Sequence, residues 1–222
     1  TIIVLAPRDW EGGQFPSTHV TATDADRVAF DDGKLYVEAF ASGEVDATLA
    51  DGRVKTARIP SLPEAQELTS WKLSVEDWRP GDSDTETDVS YSEHTLDSLV
   101  PWTEIDGLED VSGIGDYSTV FELDHDWAPG LNTILLRLGQ VSDTFHVWVN
   151  SQRVAAVDML SDEIDISDYV RPGRNTLRVE VTTTLLNRLR RSNPDVYEKA
   201  NRAEYGLLGP VQIVPVGRAR IA

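Results

Sequence analysis

Three residues on one short run have the types and spacing for contact with a sugar. They are His146, Trp148 and Asn150, two apart in Thr-Phe-His-Val-Trp-Val-Asn. An indole offers a flat apolar surface on which the C–H face of a sugar ring stacks, and the ring hydroxyls then need polar partners at its edge. Alternate residues of a strand share a face, so these three stand together, opposite Phe145, Val147 and Val149. The competing reading is that another layer covers this face and Trp148 only packs. A second group is Asn187 with Arg188, at the start of a basic cluster completed by Arg190, Arg191, Lys199 and Arg202. Guanidinium groups grip carboxylates in pairs, which suits an anionic polysaccharide or an acidic partner surface. The same cluster suits cations that are solvated or paired within the protein. Of the remaining tryptophans, Trp71, Trp78, Trp102 and Trp127 fall at expected strand ends or loops, where large rings close a sandwich, and Trp10 falls at an expected loop tip.

Other chemistries lack their motifs. No Gly-x-Ser-x-Gly is present, so there is no nucleophile elbow. Gly113-x-Gly115 is not followed by the third glycine and helix of a dinucleotide site. The four histidines (His19, His94, His125, His146) form no metal-binding pair along the chain. No acid sits in an apolar setting that would raise its pKa, and the chain reads as non-catalytic. A free-standing glycosidase would need two carboxylates about 5–9 Å apart in a cleft. Residues 81–99 carry six acids and neither Lys nor Arg, the composition of a solvated loop. Spaced oxygen ligands also suit calcium, although the glycine and closing glutamate of a helix-loop-helix site are missing. The expectation is no cofactor, with calcium as the sharper alternative.

The elements that must position these residues are strands. Ile134, Leu136 and Leu138 alternate with Leu135 and Arg137, and Leu177, Val179 and Val181 alternate with Thr176, Arg178 and Glu180. Asn150-Ser151 and Pro172-Gly173 mark turns between them. Upstream, Val20–Thr23, Arg27–Phe30, Lys34–Phe40, Glu44–Leu49 and Arg53–Ile59 read as short strands, with Asp-Gly at two of the turns. A further short strand is expected at residues 2–5. Pro60 and Pro63 frame a break, which predicts a small all-β unit over 1–62 and a larger one over 63–222. Leu68–Val75 reads as the first strand of the larger unit, and 185–205 as a helical or irregular interruption. Val211–Val214 reads as a last strand before a Gly-Arg tail.

Composition sets the outer bounds. The 222 residues, 40% of them hydrophobic, suffice for a buried core, and no apolar run approaches the length of a membrane span. A net charge of −18 repels phosphate backbones, which argues against a nucleic-acid partner. Zero cysteines exclude a disulfide framework and a thiolate metal site. The chain starts at Thr1 rather than Met, which reads as a processed or excised chain, so a missing signal peptide says nothing about export.

Several of these stretches resemble a known family. Ser112–Phe121 (SGIGDYSTVF), Leu136–Val141 (LRLGQV), Val147–Asn150 (VWVN), Ile164–Asp168 (IDISD) and Pro172–Val179 (PGRNTLRV) resemble the sugar-binding-like β-sandwich of glycoside hydrolase family 2 and its relatives. Thr183–Leu189 (TTLLNRL) and Gly206–Pro210 (GLLGP) resemble the C-terminal region of family 106 α-L-rhamnosidases, and Trp71–Trp78 and Val100–Glu104 fit the same assignment. The family turn has Gly after the Asn, where this chain has Ser151. The resemblance implies an all-β, galactose-binding-like jelly-roll β-sandwich preceded by a small β-hairpin unit. It also implies an accessory module of a secreted, extracellular glycoside hydrolase, packed on a catalytic domain and able to bind plant-type polysaccharide. The alternative is a purely structural interaction module with no ligand of its own.

Overall fold

The computed structural model describes residues 19–83, 85–127, 132–155, 161 and 163–222. The strand expected at residues 2–5 and Trp10 lie outside the described residues. Two compact units emerge. The smaller takes the chain up to Ser61 together with Gly217–Ala222, and the larger takes Leu62–Val216.

In the smaller unit the turn chemistry sets the register. Strands β1 (Val20–Thr23), β2 (Arg27–Asp31), β3 (Lys34–Ala39), β4 (Gly43–Leu49) and β5 (Val54–Ile59) lie within a residue or so of the expected ones. Asp32 and Gly33 both have positive φ (45° and 72°), the two-residue turn whose twist matches a hairpin. It pairs Asp31 with Lys34 across β2 and β3. Strands β1, β4 and β5 form a three-stranded sheet. Leu35, Val37, Ala39, Val45, Ala47, Leu49, Ala57, Ile59 and Ile221 are the buried apolar side chains among this unit's described residues.

The larger unit contains β6 (Gln66–Glu67), β7 (Trp71–Pro80), β8 (Thr87–Leu96), β9 (Gly113–Leu123), β10 (Thr133–Arg137), β11 (Gln140–Val141) and β12 (Thr144–Val149). They are followed by β13 (Gln152–Arg153), β14 (Glu163–Asp165), β15 (Gly173–Thr182), α1 (Leu186–Ser192), α2 (Pro194–Tyr197), β16 (Leu207–Gly209) and the part of β17 (Gln212–Arg220) up to Val216. One antiparallel sheet runs β13-β12-β15-β9-β7-β8, and within this unit a second runs β14-β10-β17 with β6 on β17. One core joins them. From the first sheet come Trp71, Leu73, Val75, Tyr117, Phe121, Val147, Val149, Leu177, Val179 and Val181, and from the second Ile134, Leu136, Ile164 and Ile213. Each fully buried Val, Leu or Ile contributes about 1.5–3 kcal/mol over its exposed state. The architecture is the all-β sandwich expected from the alternation. Among the described residues no helix is long and apolar enough to cross a membrane.

Two stretches differ from expectation. Residues 87–96 are not a loop but β8, paired along its whole length with β7. An edge strand carries charges and Ser/Thr that blunt further pairing, and that composition imitates a solvated loop. At the C-terminus β17 continues past Val214 to Arg220. Pro215 lies inside this strand, opposite Ile134 of β10, and on the strand's other side it falls between the residues that pair β6 and those that pair β3. The tail therefore belongs to the smaller unit, where the Arg218 guanidinium lies 3.9 Å over the Tyr36 ring.

A cluster of aromatic rings closes one region of the sandwich. Trp102 is fully buried, and its indole N–H donates to the Tyr117 hydroxyl at 2.7 Å. Trp71 meets Tyr117, and Tyr205 meets Trp102, in edge-to-face geometry at 6.5 and 6.3 Å. Burial pushes the Tyr117 phenol up to about 12, against the opposing pull of the Trp102 N–H. An acid with a raised folded-state pKa holds its proton longer than the unfolded chain does. The stability it contributes is complete below about pH 10 and is lost as pH rises through 12. Urea unfolding across this window should show a loss on the order of 2 kcal/mol, and Tyr117→Phe should flatten it.

Candidate functional site

The outer face of the six-stranded sheet carries the first group of candidate residues. Apolar residues take the inner positions of β9, β12 and β15, which leaves the polar set outside. Reading across the sheet, Arg153, Trp148, Arg178, Ser118, Lys72 and Thr95 are successive Cα partners. The neighbouring row is His146, Glu180, Asp116, Ser74 and Glu93. No second layer of described residues buries Trp148, which stays half-buried.

Trp148 is held by charge rather than by apolar packing. The Arg178 guanidinium carbon stands 4.0 Å from the indole centroid and that of Arg153 stands 6.0 Å from it. The His146 ring meets the indole edge-on at 5.9 Å. Arg178 is itself fixed, with Nε donating to Asp116 at 2.6 Å and Nη2 to Glu180 at 2.9 Å. His146 Nδ1 lies 3.2 Å from the other Glu180 oxygen. The result is a Trp–Arg stack that is already ordered, so a ligand need not order it.

Beside this stack lies a groove of about 600 Å³, lined by Trp148, Arg178, Thr176, Ser118, Val120 and Lys72, with Arg174, Ser70 and Ser151 at its margins. Its volume falls in the range of small-molecule sites. Val120 is 50% exposed and supplies an apolar floor. The Ser118 and Thr176 hydroxyls have no side-chain bond among the described residues and are open to a ligand's hydroxyls.

Asn150 is not part of this surface. It has φ 50° and Ser151 has φ 66°, so the left-handed two-residue turn forms without the family's glycine. The Asn150 amide donates to the Tyr169 carbonyl and to Asn175 Oδ1 at 2.9 and 2.8 Å, and its oxygen accepts from Thr176 N–H. Its polar atoms hold the turn rather than the edge of an aromatic platform. Asn175, fully buried and bonded to the Arg171 backbone, completes that link.

The second group of candidates lies near the far end of β7. Asn187 is fully buried on α1, and its amide clamps the backbone of Ala203, donating to its oxygen at 2.9 Å and accepting from its N–H at 2.8 Å. It faces no solvent. Arg188 pairs with Asp77, which also accepts from Arg79 Nε at 2.6 Å. These residues line a cleft of about 540 Å³ with Gly107, Glu109, Asp110 and Arg191. Most of the basic cluster is engaged within the protein. Arg190 donates to the Glu198 carbonyl at 3.0 Å, and Arg202 pairs with Asp110 at 2.8 Å. Among the described residues no three acidic or histidine side chains gather as a metal site, and Asp84 of the acidic stretch lies outside them.

Arg178, Lys72, Ser118, Thr176 and Asp77 were not visible as site residues in the sequence. Alternation assigns each to a face, but only the strand order brings β7, β9, β12 and β15 side by side.

Comparison with known proteins now identifies the class. The family model for "Glycosyl hydrolases family 2, sugar binding domain" matches residues 88–199, and the chain belongs to that family. It is 34% identical over 77 residues to a beta-galactosidase of Arthrobacter sp. (strain B7), a match covering 33% of this chain and 8% of that protein. It is 26% identical over 141 residues to a putative beta-glucuronidase of Formosa agariphila, covering 62% of this chain and 11% of that protein. Among solved structures it is similar to a rhamnosidase from Novosphingobium sp. PP1Y, with TM-score 0.55 and 19% identity, over 90% of this chain and 24% of that one. The last likeness is one of fold. The matched region amounts to about a tenth of those curated relatives, so it corresponds to an accessory-type domain of glycoside hydrolases rather than to a whole enzyme.

Proposed function

We propose that this chain is a non-catalytic accessory module of a secreted, α-L-rhamnosidase-like glycoside hydrolase. In this reading it supports the catalytic domain and binds saccharide, of plant-type polysaccharide, in the groove beside Trp148. Family membership and the fold likeness to the rhamnosidase support the accessory role. The observation that carries the binding role is the groove itself: an ordered Trp–Arg wall, an exposed Val120 floor and two open hydroxyls, on one sheet face. Of the candidate residues, Trp148 lines this groove, His146 touches its indole edge-on without lining the groove, and Arg188 lines the separate cleft. In affinity electrophoresis against soluble plant polysaccharides, Trp148→Ala should weaken binding by about tenfold or more, as loss of a central aromatic anchor does. Trp78→Ala, away from the groove, should bind as the parent chain does. Equal retardation of both variants would remove the groove from consideration.

One observation favours the structural reading instead. Trp78, Val89 and Tyr91 are exposed near one end of the β7–β8 pair, Tyr91 by 70%. Such a patch is the kind of surface that docks another domain. The two readings are compatible, because the patch and the groove lie in different parts of the sheet.

A further inference from the structure

The groove and the rest of the molecule have opposite electrostatic character. Over the whole chain Asp and Glu outnumber Lys and Arg 38 to 20. The groove's lining reverses this, with Lys72, Arg174 and Arg178 present and no carboxylate at all. Arg178 is already neutralised by Asp116 and Glu180. Lys72 and Arg174 have no acidic partner among the described residues. Glu122 is the cross-strand Cα partner of Arg174, yet no ion pair joins them.

Exposed lysines often guard a sheet edge against unwanted pairing, but that explanation does not apply to Lys72. Lys72 stands on β7 with Cα partners on both sides, Thr95 on β8 and Ser118 on β9, whereas Arg174 pairs with Glu122 on β9 and precedes Leu177, the first β15 residue that β12 pairs. The cleft at Arg188 offers a useful contrast, since there Arg79, Arg188 and Arg191 are matched by Asp77, Glu109 and Asp110. Of these two concavities, the groove is the one lined by cations without carboxylates.

We infer that the groove selects acidic saccharides, chains bearing uronate-type carboxylates, through Lys72 and Arg174. This rests on the reading of the groove as a saccharide site. The guanidinium of Arg174 offers a paired grip on a carboxylate, and Lys72 a point charge. The two cations stand two strands and four register positions apart, about 10 Å across the sheet and about 13 Å along it. A chain with more than one carboxylate meets both. Ser118, Thr176 and Val120, between them, contact the ring and its hydroxyls. The row of Glu180, Asp116 and Glu93 repels a carboxylate from the opposite side, which sets the ligand's orientation.

The test is calorimetric titration of the full chain with galacturonate and glucuronate oligosaccharides and with their methyl esters, which keep the ring and remove the charge. The free acids should bind about tenfold tighter than the esters, and high salt should narrow the gap. Lys72→Gln with Arg174→Gln should bring acids and esters to the same affinity, with the circular dichroism spectrum unchanged. If acids and esters bind alike and Trp148→Ala abolishes both, the groove stands and the charge selection falls. If no member of the panel binds, the saccharide reading of the groove falls with it.

Discussion

Trp102→Ala should destabilise the larger unit by about 3–5 kcal/mol, the usual cost of removing a large buried aromatic. The ring is fully buried and its neighbours have no means of closing over the space. Gly115 and Gly206 face it because nothing larger fits: a Cβ on Gly115 would stand 2.5 Å from Trp102 Cζ2, and one on Gly206 2.9 Å from Cδ1. Both lie on backbone held elsewhere, Gly115 by its place in the β9 ladder and Gly206 by its carbonyl, which accepts from Ser142 N–H. The vacancy would also take the indole donor from the Tyr117 hydroxyl and the edge-to-face partner from Tyr205. For a domain of this size, 1 kcal/mol moves the melting temperature by roughly 2–4 °C, so a drop on the order of 10 °C is expected. A variant melting within a degree or two of the parent would mean that the ring is not the wedge described here.

The second large effect belongs to Asp77. Its carboxylate is 8% exposed and pairs with Arg188, itself 12% exposed, and with the more open Arg79. Asp77→Ala strands the Arg188 guanidinium, whose Nε has no hydrogen-bond partner among the described residues. Removing one member of a buried pair costs about 3–5 kcal/mol, because the remaining charge stays desolvated. Arg79→Ala removes a partner that is 55% exposed and should cost under about 1 kcal/mol. The double change Asp77→Leu with Arg188→Met should recover most of the loss, since an apolar pair needs no counter-charge. Chemical denaturation of the four proteins checks the series. Equal costs for Asp77→Ala and Arg79→Ala would show that the pair is solvated and that α1 is tied to β7 by other contacts.

These two cases show why the fold was easier to read than the site. Period-two alternation over 134–138, 145–149 and 177–181 is enough to place β10, β12 and β15 and their buried faces. Asp-Gly turns are enough to place the hairpins of the smaller unit. The partners of a strand are a different matter. Trp148 is recognisable as outward-facing, but that Arg178 covers its ring depends on β12 lying beside β15 in one particular register. Asn150 and Asn187 look like ligand-binding amides in a sequence, because a buried amide clamp and an open one have the same letter. The edge strand β8 is hidden by the polar composition that protects it. The tail is hidden by Pro215, a residue rare inside sheets, which here pairs with β10 on one side and falls between the β6 and β3 partners on the other.

The most direct test of the groove as a saccharide site follows the tryptophan indole N–H signals by NMR while oligosaccharides, neutral and acidic, are titrated into the intact chain. Trp71, Trp102 and Trp127 are buried and Trp78 is exposed away from the groove, so each serves as an internal control. A saccharide bound in the groove should give a saturable shift of the Trp148 signal, with those four unmoved. Shifts confined to Trp78, or a Trp148 signal that stays in place across the whole panel, would contradict that reading and favour a structural module with no ligand of its own.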